Sequence, residues 1–422
     1  MTANSEGTRR IIGELRQRQS LDDLAQNVIT QGDVLLGPGV PMNEPFSGKG
    51  QHLRLADLEQ RTGSRPSRLA GESSFTEYGE LKGNIENFIG MAQVPVGLAG
   101  PLLVRGLNAQ GEFLVPLATT EGALVASYSR GMKACGLSGG ITAICLTEGV
   151  QRSPYFKFER LPDVGRFVGW VSDHVLRFRE IVGEHSRFAR LIDIDTHIEG
   201  NSVILTFEFT TGDASGQNMV TICTNALCGF ILKECPIQPT EWYVESNYSG
   251  DKKATALSFS SVRGKKVACE VVLKEQVVRE VLKSTPAAMA AYWQASTLAV
   301  VQSGAIGAQG HVANGLAALF IACGQDAACV AESATGITRM QVTGNGALYV
   351  ALTLPNLIVG TVGGGTNLPT QRECLTILDC HGAGKARKLA EIAAATALCG
   401  EVSIAAALSA GHFSDAHQRL GR

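Results

Sequence analysis

Residues 284–333, STPAAMAAYWQASTLAVVQSGAIGAQGHVANGLAALFIACGQDAACVAES, are apolar on nearly every face of any helix they could form. A helix without a polar face has to be surrounded by protein. This stretch therefore predicts the central helical core of a large domain, interrupted near Gly304–Gly310. A core of that size needs a long chain around it, and 422 residues with 45% apolar content predict two or three domains. Residues 388–413 are the most apolar of all, yet Glu391 and Glu401 interrupt them and Ala and Gly dominate, which reads as a core helix and not as a membrane span.

The rest of the chain changes character in blocks. Residues 1–70 are polar, with Ile11 and Leu15, then Leu21, Leu24 and Val28, at helical spacing, and read as a helical leader. PVGLAGPLLVRGLNAQGEFLVPLATT reads as strands and hairpins. In TTEGALVASYSRGMKAC either Thr119 or Thr120 can cap a helix, which places Glu121 in its first turn. Aromatic and charged residues then rise from about Pro154 to Tyr243, and NSVILTFEFTTGDASGQNMVTICTNALCGFI reads as strand, tight loop and helix. Val203, Leu205, Phe207 and Phe209 alternate with Ile204, Thr206 and Glu208, as one buried strand face requires. This marks a compact α+β module, 154–243, inserted between 71–153 and 244–422 of a larger domain; 254–273 reads as a further strand pair.

Charge and cysteine usage narrow the function. A net charge of −2 gives no basic footprint for nucleic acid or anionic lipid. Eleven irregularly spaced cysteines lack the CxxC or Cys/His spacing of zinc sites and read as reduced thiols of a cytoplasmic enzyme with no metal. MTANSEGTRRIIGELRQRQS holds no apolar segment able to act as a signal peptide, which predicts a protein with no membrane association.

A few residues stand out against this background. Asp326 falls among apolar neighbours in LFIACGQDAACV; a buried carboxylate there needs a cation or hydrogen-bond donors. A helix-end aspartate at a turn after Gly324 is the other reading. Asp251, Lys252 and Lys253 stand side by side in SNYSGDKKATALSF, where adjacent ammonium groups repel unless carboxylates compensate. A solvated charged turn is the plain alternative. Glu121 at a helix start and His417 near the C-terminus are weak signals alone. The Gly-containing turns TTGDASGQN and GTVGGGTN let backbone N–H groups approach phosphates, although neither fits G-x-G-x-x-G.

Taken in order, ENFIGMAQVPVGLAGPL, ATTEGALVAS, SRFARL, GDASGQNM, GDKKATAL, RGKKVACE, IACGQDAA, GTVGGGTNLPTQ and GEVSIAAALSAGH resemble the signature blocks of 3-hydroxy-3-methylglutaryl-coenzyme A reductases, across roughly 83–417. They are closer to the biosynthetic, NADPH-using branch. The resemblance implies an α+β fold: a large domain around a long central helix, with a ferredoxin-like small domain inserted at 154–243 to bind NADPH. It implies a homodimer or homotetramer with active sites between subunits, an acyl-CoA substrate, and two hydride transfers through a hemithioacetal and an aldehyde. Lys252 would polarise the thioester carbonyl. Asp326 would pair with it and help keep Glu121 protonated as proton donor, and His417 would protonate the departing thiolate. Ser186, Arg187, Asp213, Ser215, Gly216, Asn218, Gln325 and Gly364 would hold NADPH, with Arg187 suited to a 2′-phosphate. Arg152, Lys157, Asp251, Lys253 and Asn314 would hold the acyl group, and His311 would be structural.

Three departures bear on substrate. The family's lysine in a block like NKNLxGS is missing, since no Lys or Arg occurs between Lys283 and Arg339. Glu245 replaces a serine that contacts the acyl group, and Ala254 a proline. The carboxylate-gripping arginine becomes Lys157, with Arg152 nearby, a point charge in place of a fork. Losing a cation and gaining an acid disfavour a carboxylate ligand by on the order of 2–5 kcal/mol if buried. Three functions follow: reduction of 3-hydroxy-3-methylglutaryl-CoA, the same chemistry on another acyl thioester, or a non-catalytic nucleotide- or partner-binding homologue. The family's membrane-bound members carry an N-terminal anchor and a regulatory serine after the C-terminal histidine, and neither is expected here.

Overall fold

The structure, a computed structural model, describes residues 3–29 and 35–411. Three helices lead in: α1 (Ala3–Arg16), α2 (Leu21–Val28) and α3 (Gly48–Thr62). The hairpin β1 (Val96–Gly106) and β2 (Gln110–Ala118) follows, then α4 (Leu124–Leu137) and β3 (Ile141–Arg152). Next come β4 (Tyr155–Lys157), α5 (Leu161–Asp173), α6 (Val175–His185), β5 (Arg190–Glu199), β6 (Ser202–Thr210), α7 (Gln217–Glu234) and β7 (Glu241–Tyr243). The remainder is β8 (Gly264–Leu273), α8 (Glu275–Glu280), α9 (Pro286–Ser303), α10 (Val312–Ala322), α11 (Val330–Ser333), β9 (Ile337–Val342), β10 (Leu348–Leu357), α12 (Pro369–Ile377) and α13 (Ala386–Ser409).

The fold is α+β, and two sheets share one strand. β3 pairs antiparallel with β8 from Thr142 to Gly149, then with β6 from Val150 to Arg152. On the first side β10 and β9 extend the sheet, and β1 and β2 flank β3. On the second, β4, β5, β6 and β7 lie in the spatial order β7-β4-β6-β5, all antiparallel, with α5 and α6 between β4 and β5 and α7 between β6 and β7. A βαββαβ run in the order 4-1-3-2 is the ferredoxin-like arrangement. Its core draws on residues from Val150 to Ile237, including Val203, Leu205, Phe207 and Phe209, all fully buried. The alternation in β6 is as expected, but its second face is also covered, for Thr206 and Glu208 are buried too.

The first core is organised by α13. Nearly every residue of this helix is buried, and among the described residues it is the one helix long and apolar enough to cross a membrane. Its two acids are satisfied inside the protein. Glu391 accepts from the backbone N–H groups of Asn108, Ala109 and Cys145, and Glu401 from those of Gly310 and His311 and from the Thr338 hydroxyl. Small residues allow close crossings: a Cβ on Gly131 of α4 would lie 2.0 Å from the Cys399 carbonyl oxygen.

Several expectations change here. The 284–333 stretch does break where foreseen, at Gly304 (φ 72°), and α10 is buried, but α9 is not central: only Pro286 and Met289 are buried, and Leu298 and Val301 are 66% and 71% exposed. The central helix is α13. Glu121 precedes its helix, because the Thr119 hydroxyl accepts its N–H in a local turn and α4 starts at Leu124 after a left-handed Ala123. The expected strand pair at 254–273 is the single strand β8, preceded by a short 3-10 turn at Ala256–Phe259, because its partners β3 and β10 come from distant sequence.

Candidate active site

Three loops meet where the cores adjoin. The turn at 211–216 delivers the chain onto the N-terminus of α7 through Gly216 (φ 80°). It packs on Gly360, where a Cβ would lie 2.6 Å from the Ser215 nitrogen, and the Thr361 N–H donates to the Asp213 carbonyl at 2.8 Å. The Gly360 N–H in turn donates to the Gln325 side chain at 2.8 Å. Gly324 closes against Gly365, whose carbonyl oxygen would sit 2.2 Å from an added Cβ. The segments DASGQN, CGQD and GTVGGG are thus one surface, and alanine would not fit at Gly324 or Gly360.

Lys252 and Asp326 meet on this surface. Lys252 Nζ lies 3.0 Å from Asp326 Oδ2, with both side chains about half exposed, at 48% and 43%. The Asp326 hydrogen bond raises the Lys252 pKa and keeps the amine cationic. Asp326 is not buried on a helix, as one reading of its neighbours had it. It follows Gly324 and caps the 3-10 turn Ala327–Cys329, accepting the Ala328 N–H at 3.0 Å.

Beneath Lys252 lies a charged network that its own segment only hinted at. Asp251 accepts from Arg152 at 2.7 Å and from the buried Arg263. Burial pushes the Asp251 carboxyl up, but the two guanidinium groups outweigh it and hold the pKa below its usual value. Arg263 Nε donates to Glu332 Oε2 at 2.7 Å; the pair is almost inaccessible, at 2% and 0% exposure of the side chains. Neither Arg263 nor Glu332 was singled out from sequence, although RGKKVACE was read as a signature block and Glu332 stands alone in an apolar run.

Arg152 is the forked cation of this region. It donates to Asp251, to Thr221 and, at longer range, faces Glu245 at 3.5 Å. Lys157 lies apart from this network: it stands on β4, bonds Glu241 of the adjacent strand at 2.8 Å and is partly exposed. Lys253 bonds the Asn247 side chain and the Asp251 carbonyl. Glu245 accepts the N–H groups of Ser153 and Asn247, so its charge is answered within the protein.

Glu121 and Asn314 form a second group. Asn314 Nδ2 donates to both oxygens of Glu121, at 3.3 and 3.0 Å. They line a cleft of about 480 Å³ with Tyr128, Arg130 and His311. His311 stacks on Tyr128, ring centroids 5.6 Å apart, and its N–H on the main chain is held by Glu401. Among the described residues no hydrogen bond or ion pair joins this group to Lys252 and Asp326 within the chain. His417 lies outside the described residues.

The remaining positions fall into two sets. Asn218 and Gly364 are exposed, and Gly364 (φ 54°) has open space where a Cβ would point. Asp213 is engaged, its carboxylate accepting the N–H groups of Gly384 and Ala386 where α13 begins. Ser186 accepts from Phe188 and Ala189, and Arg187 is exposed over Phe188. Their turn leads into Arg190, which pairs with Thr210, so it lies at the strand end next to the 211–216 loop.

A family profile described as hydroxymethylglutaryl-coenzyme A reductase matches residues 51–422. The 3-hydroxy-3-methylglutaryl-coenzyme A reductase of Aeropyrum pernix is 44% identical over 390 residues, covering 88% of this chain and 89% of its own. That of Methanocaldococcus jannaschii is 42% identical over 387 residues, covering 90% and 95%. Among solved structures, a class II 3-hydroxy-3-methylglutaryl-CoA reductase from Streptococcus pneumoniae, bound to NADPH in open conformations, superimposes with a TM-score of 0.66. It is 20% identical and the match covers 85% of this chain and 86% of that one, a likeness of fold.

Proposed function

The chain belongs to the hydroxymethylglutaryl-coenzyme A reductase family, and from that premise we propose that it reduces 3-hydroxy-3-methylglutaryl-CoA with two NADPH and two protons, yielding mevalonate, two NADP⁺ and free coenzyme A. The observation that carries this is the Lys252–Asp326 pair, 3.0 Å apart on the surface where three glycine-bearing loops meet. An ammonium held charged by a carboxylate is suited to polarise a thioester carbonyl and to stabilise the oxyanion that develops there. Glu121, oriented by both bonds from Asn314, donates the proton to that oxygen, and His417 protonates the coenzyme A thiolate. The separation of these pairs within one chain supports completion of the site by a second copy, with the Glu121 cleft of one facing the Lys252 surface of the other.

NADPH supplies the hydrides when bound. The module at about 154–243 is its binding domain. The N-terminus of α7 and the open backbone at Gly364 suit a pyrophosphate, and Arg187 at the adjacent strand end suits a 2′-phosphate. Ser215, Gly216, Asn218 and Gln325 line or support that surface, whereas Asp213 shapes it by capping α13.

A second reading keeps the chemistry and changes the acyl group. Neither α9 nor α10 carries a cation, and Arg152 already faces Asp251 and Glu245, so a free acyl carboxylate would have to compete with those two acids for its guanidinium. Purified protein given NADPH and a panel of acyl-CoAs separates the two. Oxidation of NADPH with 3-hydroxy-3-methylglutaryl-CoA supports the first; turnover only with thioesters lacking a carboxylate selects the second; silence with every thioester refutes both. In the same assay Lys252→Ala should abolish turnover and leave NADPH affinity within about twofold, a loss of oxyanion stabilisation and not of cofactor contacts. Near wild-type rates in that variant would remove Lys252 from its role.

A further inference from the structure

Lys252 has a left-handed backbone (φ 59°), a conformation that side chains with a Cβ adopt only when the surroundings impose it. What imposes it is visible. The Lys252 N–H donates to Glu332 Oε1 at 3.0 Å, and the other oxygen of Glu332 accepts from Arg263 Nε at 2.7 Å. Arg263 also bonds Asp251, the residue immediately before the lysine, together with the Gln217 side chain and the Gln151 carbonyl. Glu332 stands on α11, directly after the turn that Asp326 caps. A single segment, 326–333, therefore presents one carboxylate to the Lys252 ammonium and another to its main-chain N–H.

Such a pair is not what stability alone selects. Glu332 and Arg263 are buried, and a buried ion pair is commonly matched or exceeded in stability by apolar side chains of similar volume. We propose that Glu332, held by Arg263, is a positioning residue for the reductase step: it fixes the left-handed turn that points the Lys252 ammonium at Asp326 and the reacting carbonyl. This rests on the role proposed for Lys252. It adds that the lysine's direction is set from below, through its own amide, and not by the Asp326 contact alone. Both oxygens of Glu332 are used, one for each task, which a simple neutralising carboxylate would not need.

The test exploits the difference between stabilising and positioning. Glu332→Met with Arg263→Met removes both charges together, so the double variant should melt within a few degrees of wild type while its kcat falls at least about tenfold, with the KM for NADPH unchanged. Full kcat in a folded double variant would overturn the proposal. Glu332→Asp, which keeps the ion pair but draws the carboxylate back from the Lys252 amide, should show the same split between kcat and KM, and full kcat there would overturn it equally. A readout independent of turnover separates failure here from failure of the reductase reading. The pH midpoint for acetylation of the Lys252 amine, followed by peptide mass spectrometry, should drop in both variants as the lysine loses alignment with Asp326. An unchanged midpoint refutes the positioning role whether or not the protein reduces any thioester.

Discussion

Glu208 sits on β6 opposite Gln151 of β3, at the strand that joins the two sheets. It is 2% exposed, its Oε1 has no hydrogen-bond partner, and that oxygen lies 2.6 Å from where a Cβ on Gly149 would be. Burial, and then the charges of Asp195 and Asp193 on β5, push its pKa from 4.5 up to about 8. A carboxyl whose folded pKa exceeds its unfolded one binds more protons when folded, so stability falls as pH rises between the two values, from about 4.5 to about 8. At about 1.4 kcal/mol per unit, wild type should lose roughly 3 kcal/mol by neutral pH, and the loss levels off above the folded pKa. Glu208→Gln keeps the shape and cannot ionise. It should equal wild type near pH 4.5 and exceed it by roughly 3 kcal/mol near pH 7, measured by urea unfolding at each pH. Parallel pH profiles for the two proteins would refute the reasoning, because they would mean that Glu208 titrates alike folded and unfolded.

Asp326→Asn should lower kcat by about 100-fold while changing stability by less than about 1 kcal/mol, since the Lys252–Asp326 pair is half exposed and screened; a large fall in melting temperature would show a structural role instead. Gly131→Ala drives a methyl into the Cys399 carbonyl of the central helix, a backbone atom that cannot turn aside, and should destabilise by about 3 kcal/mol or more in thermal unfolding; a neutral result would mean that α4 and α13 are not packed as described.

How much of this was legible depends on which force fixed each element. Patterned burial could be read: the alternation from Val203 to Phe209, the helical spacing of Ile11, Leu15 and Val28, and the apolar run around Glu391 and Glu401 all mark elements that the structure contains. What escaped was set by long-range polar partners. Glu121 looked like a first-turn acid until the Thr119 hydroxyl claimed its N–H, and residues 254–263 looked extended although a 3-10 turn at Ala256–Phe259 occupies them, tied to β10 through Asn356. Arg263 and Glu332 are separated by 69 positions in sequence, so neither announces the other, and Glu208 was read only as the outward member of an alternation whose outer face is in fact covered. The lysine pair stands out through the resemblance, whereas the different settings of Arg152 and Lys157 needed geometry: one lies against Asp251, the other against Glu241 on an edge ladder.

The largest misplacement is also the most informative. A helix with no polar face has to be covered by protein, and α9 has none, but within one chain it leaves Leu298 and Val301 largely in water. The physical rule and the fold agree if the covering protein is another copy. That is the arrangement the divided site asks for on separate grounds, since Glu121 with Asn314 and Lys252 with Asp326 are each ordered by their own partners and are not joined within the chain. Under the proposed function, an apolar helix left exposed by its own chain and two functional pairs left apart within it support the same reading, in which a second copy would cover the one and join the other.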